Sequence, residues 1–522
     1  MGFGPVGQLL SALLGRAGHR VVVFEQHQEI YSPPRAVRFD GEAMRTFQWL
    51  GIVGEVEHEI LRVAHAQMWG TDGKPVIDLA GVPGDGGGHQ SGWARSYAFY
   101  QPVLDGALDR AARAAASVTV ERGWAAEALV LHDGWAELVV RRRPGEGKAP
   151  DPADQPRSVS ARYVVGTDGA NFFVRRTCGI ERVDLGFSER WIVADVRPHD
   201  MSEFEQLQMV QYCDCTRPTT IAPNGCTHRR WEFVLLEDER AEDFVGNEDR
   251  IWELLAPHCR RDQGILIWHT AYAFRLLLAA TMREGRVLLA GDAAHQMPPF
   301  IGEGRCSGLR DAANLSWKLE VVLRGRASDA LLDTYHSECF TQNMAVVESA
   351  MAMAMAMAMG RVCCLLDPGA AAARDAAMRS GRAPSLPRMP GIGAGLCHSS
   401  DDARLAGSPA VQARLDGPWG TALADEALGT GFGVLTTVGD PEAILPTDQL
   451  AFPKWIGGYA VPLDGAVPGA RRDSDGRLAA WLAGAEAVAT RPHGYTFGSV
   501  PTVDQLPSLV AELQGAEDWT RQ

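Results

Sequence analysis

A carboxylate and a pair of glycines near residue 300 have the types and spacing of a cofactor site. The apolar run Val287–Ala290 predicts a strand that ends before Asp292, and Gly302 and Gly304 precede a predicted helix over about Ser307–Leu323. An ionised aspartate accepts strong hydrogen bonds from hydroxyl groups, and the unpaired N–H groups at a helix start favour negative charge. A reduced flavin meets both conditions, because it carries a ribityl hydroxyl chain and a ring that gains charge.

The amino terminus holds a second pattern of this kind. Gly2, Gly4 and Gly7 precede an apolar helical stretch and the predicted strand 20–24, which ends at Glu25. Glycines at this spacing allow a tight turn and close approach to a pyrophosphate, and an acid about 20 residues later accepts ribose hydroxyls. Glycine triplets arise by chance in a chain with 56 glycines, but the ordered helix, strand and acid predict a dinucleotide-binding unit.

The strand that normally precedes such a fingerprint is not in the sequence, since Met1 stands directly before Gly2. That strand lies inside a doubly wound sheet, and its omission exposes backbone groups of its neighbours. We therefore expect a misassigned start codon or a truncation of roughly ten residues. As written, the chain is expected to fold or to hold its cofactor poorly.

A third pattern lies between the other two. The predicted strand Tyr163–Gly166 ends at Asp168 and Gly169, and Arg175 and Arg176 follow. An Asp-Gly pair after a strand is by itself typical of a β-turn. With the other two patterns, it predicts a carboxylate and an arginine beside the same phosphate-bearing crevice.

Together the three patterns resemble the fingerprint, DG and GD motifs of the class A flavoprotein monooxygenases, the aromatic hydroxylases. Four further segments resemble the 3-(3-hydroxyphenyl)propionate hydroxylase branch, which includes many polyketide-tailoring hydroxylases: 34–42, 99–102, 231–236 and 310–319. The resemblance covers nearly the whole chain. It implies an α/β fold in which a Rossmann-like FAD-binding domain carries an inserted, mostly antiparallel β-sheet substrate domain and a C-terminal thioredoxin-like α/β domain.

The resemblance also implies which residues bind FAD. They are Gly2, Gly4 and Gly7 in the fingerprint, Glu25 at the adenosine ribose, Arg35 and Gln101 at the pyrophosphate and ribityl region, Asp168 and Gly169 in the DG turn, Asp292 at the ribityl chain, and Pro298, Gly302, Gly304, Arg305 and Cys306 along the isoalloxazine ring.

Four residues depart from the family pattern. Phe172 stands where a serine is usual, Glu303 replaces a glutamine, and Arg305-Cys306 replaces a Met-Asn pair. Backbone N–H groups make most flavin contacts in that loop, so the changes need not abolish binding. Arg305 could help to stabilise an anionic flavin, whereas Glu303 would oppose it.

The sequence contains only one dinucleotide fingerprint, because Gly429–Gly433 precedes a predicted strand instead of following one. NADH or NADPH is therefore expected to visit the flavin transiently. The resemblance implies flavin reduction, capture of O2 as a flavin C4a-hydroperoxide, and oxygen transfer to the ring carbon ortho to a phenol hydroxyl. The cofactor carries this chemistry, while the protein supplies position, charge and exclusion of water.

No unambiguous base for the phenol proton emerges from the sequence. His295, close to Asp292, and Tyr272 or His269, at the end of a predicted strand, are the candidates, and each could equally be structural. Two alternatives to a small-phenol hydroxylase stay open. One is a polyketide-tailoring hydroxylase or Baeyer–Villiger enzyme acting on a polycyclic phenol, and the other is an inactive flavin-binding remnant.

Composition indicates a soluble enzyme. A net charge of −15 argues against nucleic-acid partners, because phosphate binding needs a basic surface. No apolar run approaches the roughly 18 residues of a membrane span and no leader pattern opens the chain, so we expect a cytoplasmic location. Ten cysteines in 522 residues are not a disulfide framework. Cys213 and Cys215 lack a histidine at ligand spacing, so no metal site is predicted.

The sequence patterns divide the chain into four parts. They are the first part of the FAD-binding domain (1–182), the substrate-binding sheet (183–280), the helical second part of the FAD-binding domain (281–382) and the thioredoxin-like tail (396–522). The alternating run Met351–Met359 predicts a helix. No cysteine follows Cys397, which excludes thiol–disulfide chemistry in the tail. The tail is then a packing or dimer element, and a homodimer is one alternative.

Overall fold

The computed structural model describes residues 1–30, 35–63, 66–78, 90–144, 154–171, 173–204, 209–297, 302–356, 365–382, 391–393, 395–399, 405–418, 420–463, 465–515 and 519. Pro298, predicted to line the flavin ring, and Phe172 lie outside these residues.

The described helices are, in chain order, α1 (Pro5–Arg16), α2 (Gly41–Leu50), α3 (Val53–Val56), α4 (Gln101–Ala114), α5 (Phe173–Thr177), α6 (Glu248–Leu255), α7 (Gly304–Leu323), α8 (Asp333–Ala356), α9 (Pro368–Ala377), α10 (Ala424–Leu428), α11 (Pro441–Ile444), α12 (Thr447–Trp455), α13 (Arg477–Trp481) and α14 (Leu506–Gly515). None of them is both long and apolar enough to cross a membrane.

The described strands are β1 (Val21–Glu25), β2 (Arg38–Asp40), β3 (Ile60–Arg62), β4 (Ala66–Trp69), β5 (Pro75–Asp78), β6 (Ser96–Phe99), β7 (Val118–Arg122), β8 (Trp124–His132), β9 (Trp135–Arg142), β10 (Arg157–Ala161), β11 (Val164–Gly166), β12 (Arg182–Pro198), β13 (Met209–Tyr212), β14 (Thr219–Asn224), β15 (His228–Val234), β16 (Gly264–Ala279), β17 (Arg283–Glu284), β18 (Val287–Leu289), β19 (His295–Gln296), β20 (Arg414–Gly417), β21 (Gly420–Leu423), β22 (Gly433–Thr436), β23 (Tyr459–Pro462), β24 (Arg472–Asp473), β25 (Ala487–Arg491) and β26 (Tyr495–Val500).

Two small sheets lie beside the amino-terminal turn. In one, β1 pairs in parallel with β7, and in the other, β18 pairs in parallel with β11 and antiparallel with β17. The first two residues connect the sheets, since the Gly2 amide donates to the Phe24 carbonyl and the Thr167 amide donates to the Met1 carbonyl, both at 2.8 Å. The helices α1 and α7 pack against each other beside them.

An eight-stranded sheet, which we call the roof, has the order β19-β16-β12-β15-β14-β13-β4-β5. Its neighbours are antiparallel except for β13 and β4. Alternate side chains point to opposite faces of a strand, so each face has its own residues. The outer face packs on α6 and forms a separate core that includes Ile192, Ala194, Trp231, Phe233 and Ile251.

The last part of the chain forms a four-stranded sheet of order β23-β22-β25-β26 with a second, three-stranded sheet beside it. Helix α14 packs on β25 and β26, and α7 contacts the turn between these strands. This region therefore packs against α7, whose first residues belong to the predicted flavin loop.

Two predicted helices differ slightly from the observed ones. Helix α7 begins at Gly304, not near Ser307, so Arg305 and Cys306 belong to its first turn. Glycine is a poor helix former, so the sequence predicted a later start than Gly304. Helix α8 includes Met351 through Ala356 of the alternating run, and the rest of that run lies outside the described residues.

Candidate cofactor and active site

The three predicted turns lie next to one another. They are the fingerprint turn (2–7), the DG turn (168–169) and the GD turn (291–292). A Cβ added to Gly2 would lie 2.2 Å from the Thr167 carbonyl oxygen, so the fingerprint and DG turns touch through backbone. A Cβ on Gly291 would lie 2.9 Å from the Val6 side chain, and one on Gly308 would lie 2.7 Å from it. The GD turn and α7 therefore close against the start of α1, where larger residues would not fit.

Glu25 ends β1 and is held by the fingerprint turn. Its carboxylate accepts hydrogen bonds from the backbone amides of Phe3 at 2.7 Å and His27 at 2.8 Å. Each carboxylate oxygen keeps a further lone pair. The geometry fixes an acceptor beside the turn, as recognition of a ribose requires.

Asp168 follows β11, the strand whose Val165 carbonyl accepts a hydrogen bond from the Met1 amino group at 2.8 Å. Its Oδ2 accepts from the Val174 amide at 3.0 Å, while its buried Oδ1 has no hydrogen-bond partner among the described residues. Burial raises the pKa of Asp168. Burial lowers the pKa of the Met1 amino group, and the charges of Asp168 and Glu25 act against that shift. The carboxylates of Asp168 and Glu25 therefore both lie near the Met1 amino group.

Two long helices begin here without side-chain caps. Gly4 precedes α1 and Glu303 precedes α7, and neither side chain caps its helix. A Cβ added to Gly4 or Gly304 would meet no atom of the described residues within 4 Å, so these residues leave space at both helix starts. Unpaired N–H groups at such ends attract anionic groups. These features fit the pyrophosphate and the flavin ring of FAD.

Asp292 follows Gly291, which packs against Val6 of α1 and donates to Asp311 of α7, and we call the region between the starts of these two helices the crevice. The Asp292 side chain is exposed to solvent, yet protein atoms around the crevice raise the pKa of its carboxyl, against the charges of His295 and Arg35. An accessible, confined acceptor of this kind suits a chain of hydroxyl groups. Arg35, which is far away in sequence, therefore joins the GD turn in space.

His295 is turned away from this crevice. It is buried, and its Nε2 lies 2.6 Å from Oδ2 of Asp311. The same Oδ2 accepts from the Gly291 amide at 2.9 Å. Burial lowers the pKa of His295, but the charge and hydrogen bond of Asp311 outweigh burial and raise it. This places His295 as a clamp between the GD turn and α7.

Gln101 connects the Arg35 segment to the first turn of α7. Its Oε1 accepts from the Arg35 and Ala36 amides at 2.8 and 3.0 Å, and its Nε2 donates to Asp105 at 2.9 Å. Arg305 forms an ion pair with the other oxygen of Asp105. The expectation that Arg305 adds a free cation at the flavin is therefore weakened, because Asp105 neutralises its charge.

Glu303 is neutralised in the same way. Its two oxygens lie 3.0 Å from Arg38 and 3.0 Å from Arg310. The opposition to an anionic flavin expected from Glu303 is thus offset. Neighbouring Cys306 is buried, which raises the pKa of its thiol well above the ordinary value. Gly302 has a φ of +66° and packs against the Arg38 stem, so a side chain there would be strained.

The other two candidate bases lie on opposite faces of β16. Tyr272 is opposite Trp191, and its ring centroid lies 6.0 Å from that of Phe274. His269 is opposite Ala194, which belongs to the outer core, and its Nε2 accepts from the Gly246 amide at 3.1 Å. The structure brings Tyr272, and not His269, to the inner face of the roof.

Sequence reasoning missed a charged cluster on this inner face. Arg230 pairs with both oxygens of Asp195 at 2.8 Å and donates to the Arg35 carbonyl at 2.7 Å. Glu232 is the next residue of β15 on the same face. In the sequence, Arg230 and Glu232 alternate with Trp231 and Phe233. This pattern predicts a strand with charged side chains on one face and aromatic side chains on the other.

Comparison with known proteins gives three findings. Residues 1–350 match the family described as FAD binding domain. The chain is 36% identical over 537 aligned positions to a probable NADH-specific resorcinol 4-hydroxylase of Rhodococcus jostii (strain RHA1), covering 99% of this chain and 94% of that one. It is 34% identical to the 3-(3-hydroxy-phenyl)propionate/3-hydroxycinnamic acid hydroxylase of Mycobacterium sp. (strain JLS), covering 87% and 78%.

Two solved structures share the fold. The flavin-dependent monooxygenase PieE, in complex with FAD and substrate, superposes with a TM-score of 0.79 at 19% identity over 98% of this chain and 97% of that one. Aklavinone-11 hydroxylase, in a ternary complex with FAD and aklavinone, has a TM-score of 0.75 at 20% identity over 98% and 97%. These likenesses establish a mixed α/β fold of the flavin monooxygenase kind.

Proposed function

This chain belongs to the FAD binding domain family, and from that premise we propose that it catalyses the FAD-dependent, NAD(P)H-consuming hydroxylation of a phenol ortho to its hydroxyl group. The family, the enzyme class and the cofactor predicted from sequence are confirmed. The substrate and the position of attack are the proposal.

One observation carries it. Three turns that are distant in the chain close on one another, with open space at two uncapped helix starts and an accessible Asp292 between them. In this proposal Glu25 binds the adenosine ribose and Asp292 the ribityl chain. The amides of α1 hold the pyrophosphate and those of α7 face the flavin ring. When bound, FAD supplies the electron transfer from nicotinamide and the activation of O2.

The inner face of the roof suits a flat phenol. Tyr272 and Phe274 offer partly exposed aromatic surface, with buried Trp191 opposite Tyr272, and Glu232 offers a carboxylate on the same face. Such a face orients a ring and limits water, which a short-lived oxidant requires. The relatives' names favour resorcinol or a 3-(3-hydroxyphenyl)propionate-type compound as substrate and NADH as reductant.

The domain arrangement is part of the proposal. We infer a Rossmann-like FAD-binding domain from parts 1–182 and 281–382, an inserted substrate domain over 183–280 and a thioredoxin-like domain over 396–522. The need for NADH favours a cytoplasmic location. A homodimer through the last domain is a further expectation, which size-exclusion chromatography with light scattering would test.

The test is a substrate panel on the purified holoenzyme. We expect a flavin absorption spectrum, and NADH oxidation stimulated by resorcinol or 3-(3-hydroxyphenyl)propionate with formation of a hydroxylated product. Colourless protein that takes up no FAD would support an inactive remnant. Flavin-loaded protein that hydroxylates only polycyclic phenols would favour the polyketide-tailoring alternative.

A further inference from the structure

Glu232 occupies a particular position on the inner face of the roof. In β15 it follows Arg230 by two residues, so both side chains lie on the face opposite to the outer core around Trp231. Its cross-strand neighbours are Val193 and Thr220. Because Arg230 donates to the Arg35 carbonyl, this face is directed toward the FAD crevice.

The Glu232 carboxylate differs from its acidic neighbour Asp195 in being available. Both Asp195 oxygens accept hydrogen bonds from Arg230, and its side chain is 0% exposed. Glu232 keeps 16% of its side chain exposed, and its nearest cation is Arg230 at 3.8 Å. Across the described ranges, no hydrogen bond to the Glu232 carboxylate is present. Arg230 therefore pairs with Asp195, and the Glu232 carboxylate stays able to accept a proton from a ligand.

We propose that Glu232 takes the proton from the phenol hydroxyl of the substrate. This inference rests on the proposed hydroxylation. The phenol O–H bond breaks, its electron pair stays on oxygen as phenolate, and the proton moves to a carboxylate oxygen of Glu232. The phenolate donates electron density to the ortho carbon, where the new oxygen is to be attached.

The surroundings of Glu232 decide its pH response. The charged groups that act on it are Arg230 on its own strand and Asp195 on β12, with Tyr272 on β16 and Arg35 lying beyond, against Arg230. Burial raises the pKa of Glu232, the Arg230 charge lowers it, and Asp195 raises it again, with a net rise. The carboxylate is the active form, so the rate should fall as pH drops through this raised pKa.

The test compares Glu232→Gln with Glu242→Gln in the FAD-loaded enzyme. Glu242 lies on the outer layer with 74% of its side chain exposed, so it controls for loss of one negative charge. With resorcinol, we expect Glu232→Gln to lower kcat for hydroxylation by about 10²-fold or more, with wild-type flavin content and resorcinol affinity. The acid limb of its kcat/KM profile should vanish, and a ring-fluorinated resorcinol, which ionises at lower pH, should restore part of the rate.

Glu232→Asp keeps a carboxylate and should keep an acid limb, which covers the case in which Glu232→Gln does not fold. A Glu232→Gln enzyme with the wild-type rate and acid limb would overturn the assignment while leaving the hydroxylase function intact. Equal losses on resorcinol and on its fluorinated analogue would also overturn it, since they indicate a structural role. Wild-type enzyme whose NADH oxidation no phenol stimulates would overturn the proposed function as well.

Discussion

The two ends of α7 hold their polar groups differently. At its start, the crevice leaves acceptors and amides open, as with Asp292, Asp168 Oδ1 and the space over Gly304. Toward its other end, Lys318 contacts Glu338 at 2.9 Å, and Arg491 contacts the same carboxylate at 2.8 Å, all with 0% exposure.

This difference separates the charges that stabilise the fold from the polar groups that would bind a ligand. A buried charge without a partner costs several kcal/mol, so the ions that join α7 to α8 and β25 are paired with each other. Polar groups at the crevice are left for a ligand to satisfy. The start of α7 thus combines the paired charges of Glu303 and Arg305 with acceptors that no described side chain satisfies, whereas at the other end Lys318, Glu338 and Arg491 are all paired.

Breaking the paired end should have the largest effect. Glu338→Ala leaves Lys318 and Arg491 as uncompensated buried cations, so we expect a loss of about 3–5 kcal/mol in the free energy of unfolding. Urea denaturation measures it. Glu512→Ala, at a pair with His398 that is 34% exposed on the glutamate side, should cost under about 1 kcal/mol. Equal costs would contradict the comparison.

Two glycines of the fingerprint separate folding from cofactor binding. A Cβ on Gly7 would lie 2.3 Å from the Gly2 carbonyl oxygen, so Gly7→Ala should destabilise the flavin-free protein by about 1–3 kcal/mol. Gly4→Ala meets open space and should cost under about 1 kcal/mol without FAD, yet weaken FAD binding. Calorimetry of flavin-free protein and FAD titration separate the two. Weaker FAD binding only in Gly7→Ala would refute the role given to Gly4.

Removing the charge of the open acceptor should affect binding and leave folding unchanged. Asp292→Asn loses charged hydrogen bonds to the ribityl chain, worth about 1.5–3 kcal/mol, so the FAD dissociation constant should rise about 10- to 100-fold. Quenching of FAD fluorescence on binding measures it. Asp333→Asn, at an aspartate whose side chain is 73% exposed, is the control. An unchanged constant for Asp292→Asn would remove Asp292 from the cofactor site.

The smallest effect is expected at the surface pair of His398 and Glu512. Burial raises the pKa of Glu512, but hydrogen bonds from Ser399 and His398 outweigh burial and lower it. A lowered folded-state pKa stabilises the protein above the unfolded value of about 4.3 and ceases to do so as pH falls. His398→Ala should therefore cost under about 1 kcal/mol at pH 6, with the difference shrinking as pH falls below the unfolded value and through the lowered folded-state pKa. Melting curves across this range check it, and a difference that grows in acid would contradict the sign.

The strands that end in acids and the glycines beside them could be predicted from local sequence. These are local signals, because a tight turn or a close backbone approach demands glycine whatever surrounds it. The clash distances at Gly2 and Gly7 bear this out. Strand periodicity likewise predicted β12, β15 and β16 of the roof, while β4, β5 and β19 of the same sheet lie outside the predicted 183–280, and the start of α7 was missed by three residues.

Only the tertiary structure decided which charges meet. Arg305 finds Asp105 two hundred residues away, His295 finds Asp311 on α7, and Arg230 occupies Asp195 so that Glu232 stays available. No local pattern encodes these pairs, because the energy of a buried charge depends on what distant segments bring within a few ångströms of it. The turns could therefore be predicted from the sequence, whereas the group that would take up a proton could be identified only once the packed structure was known.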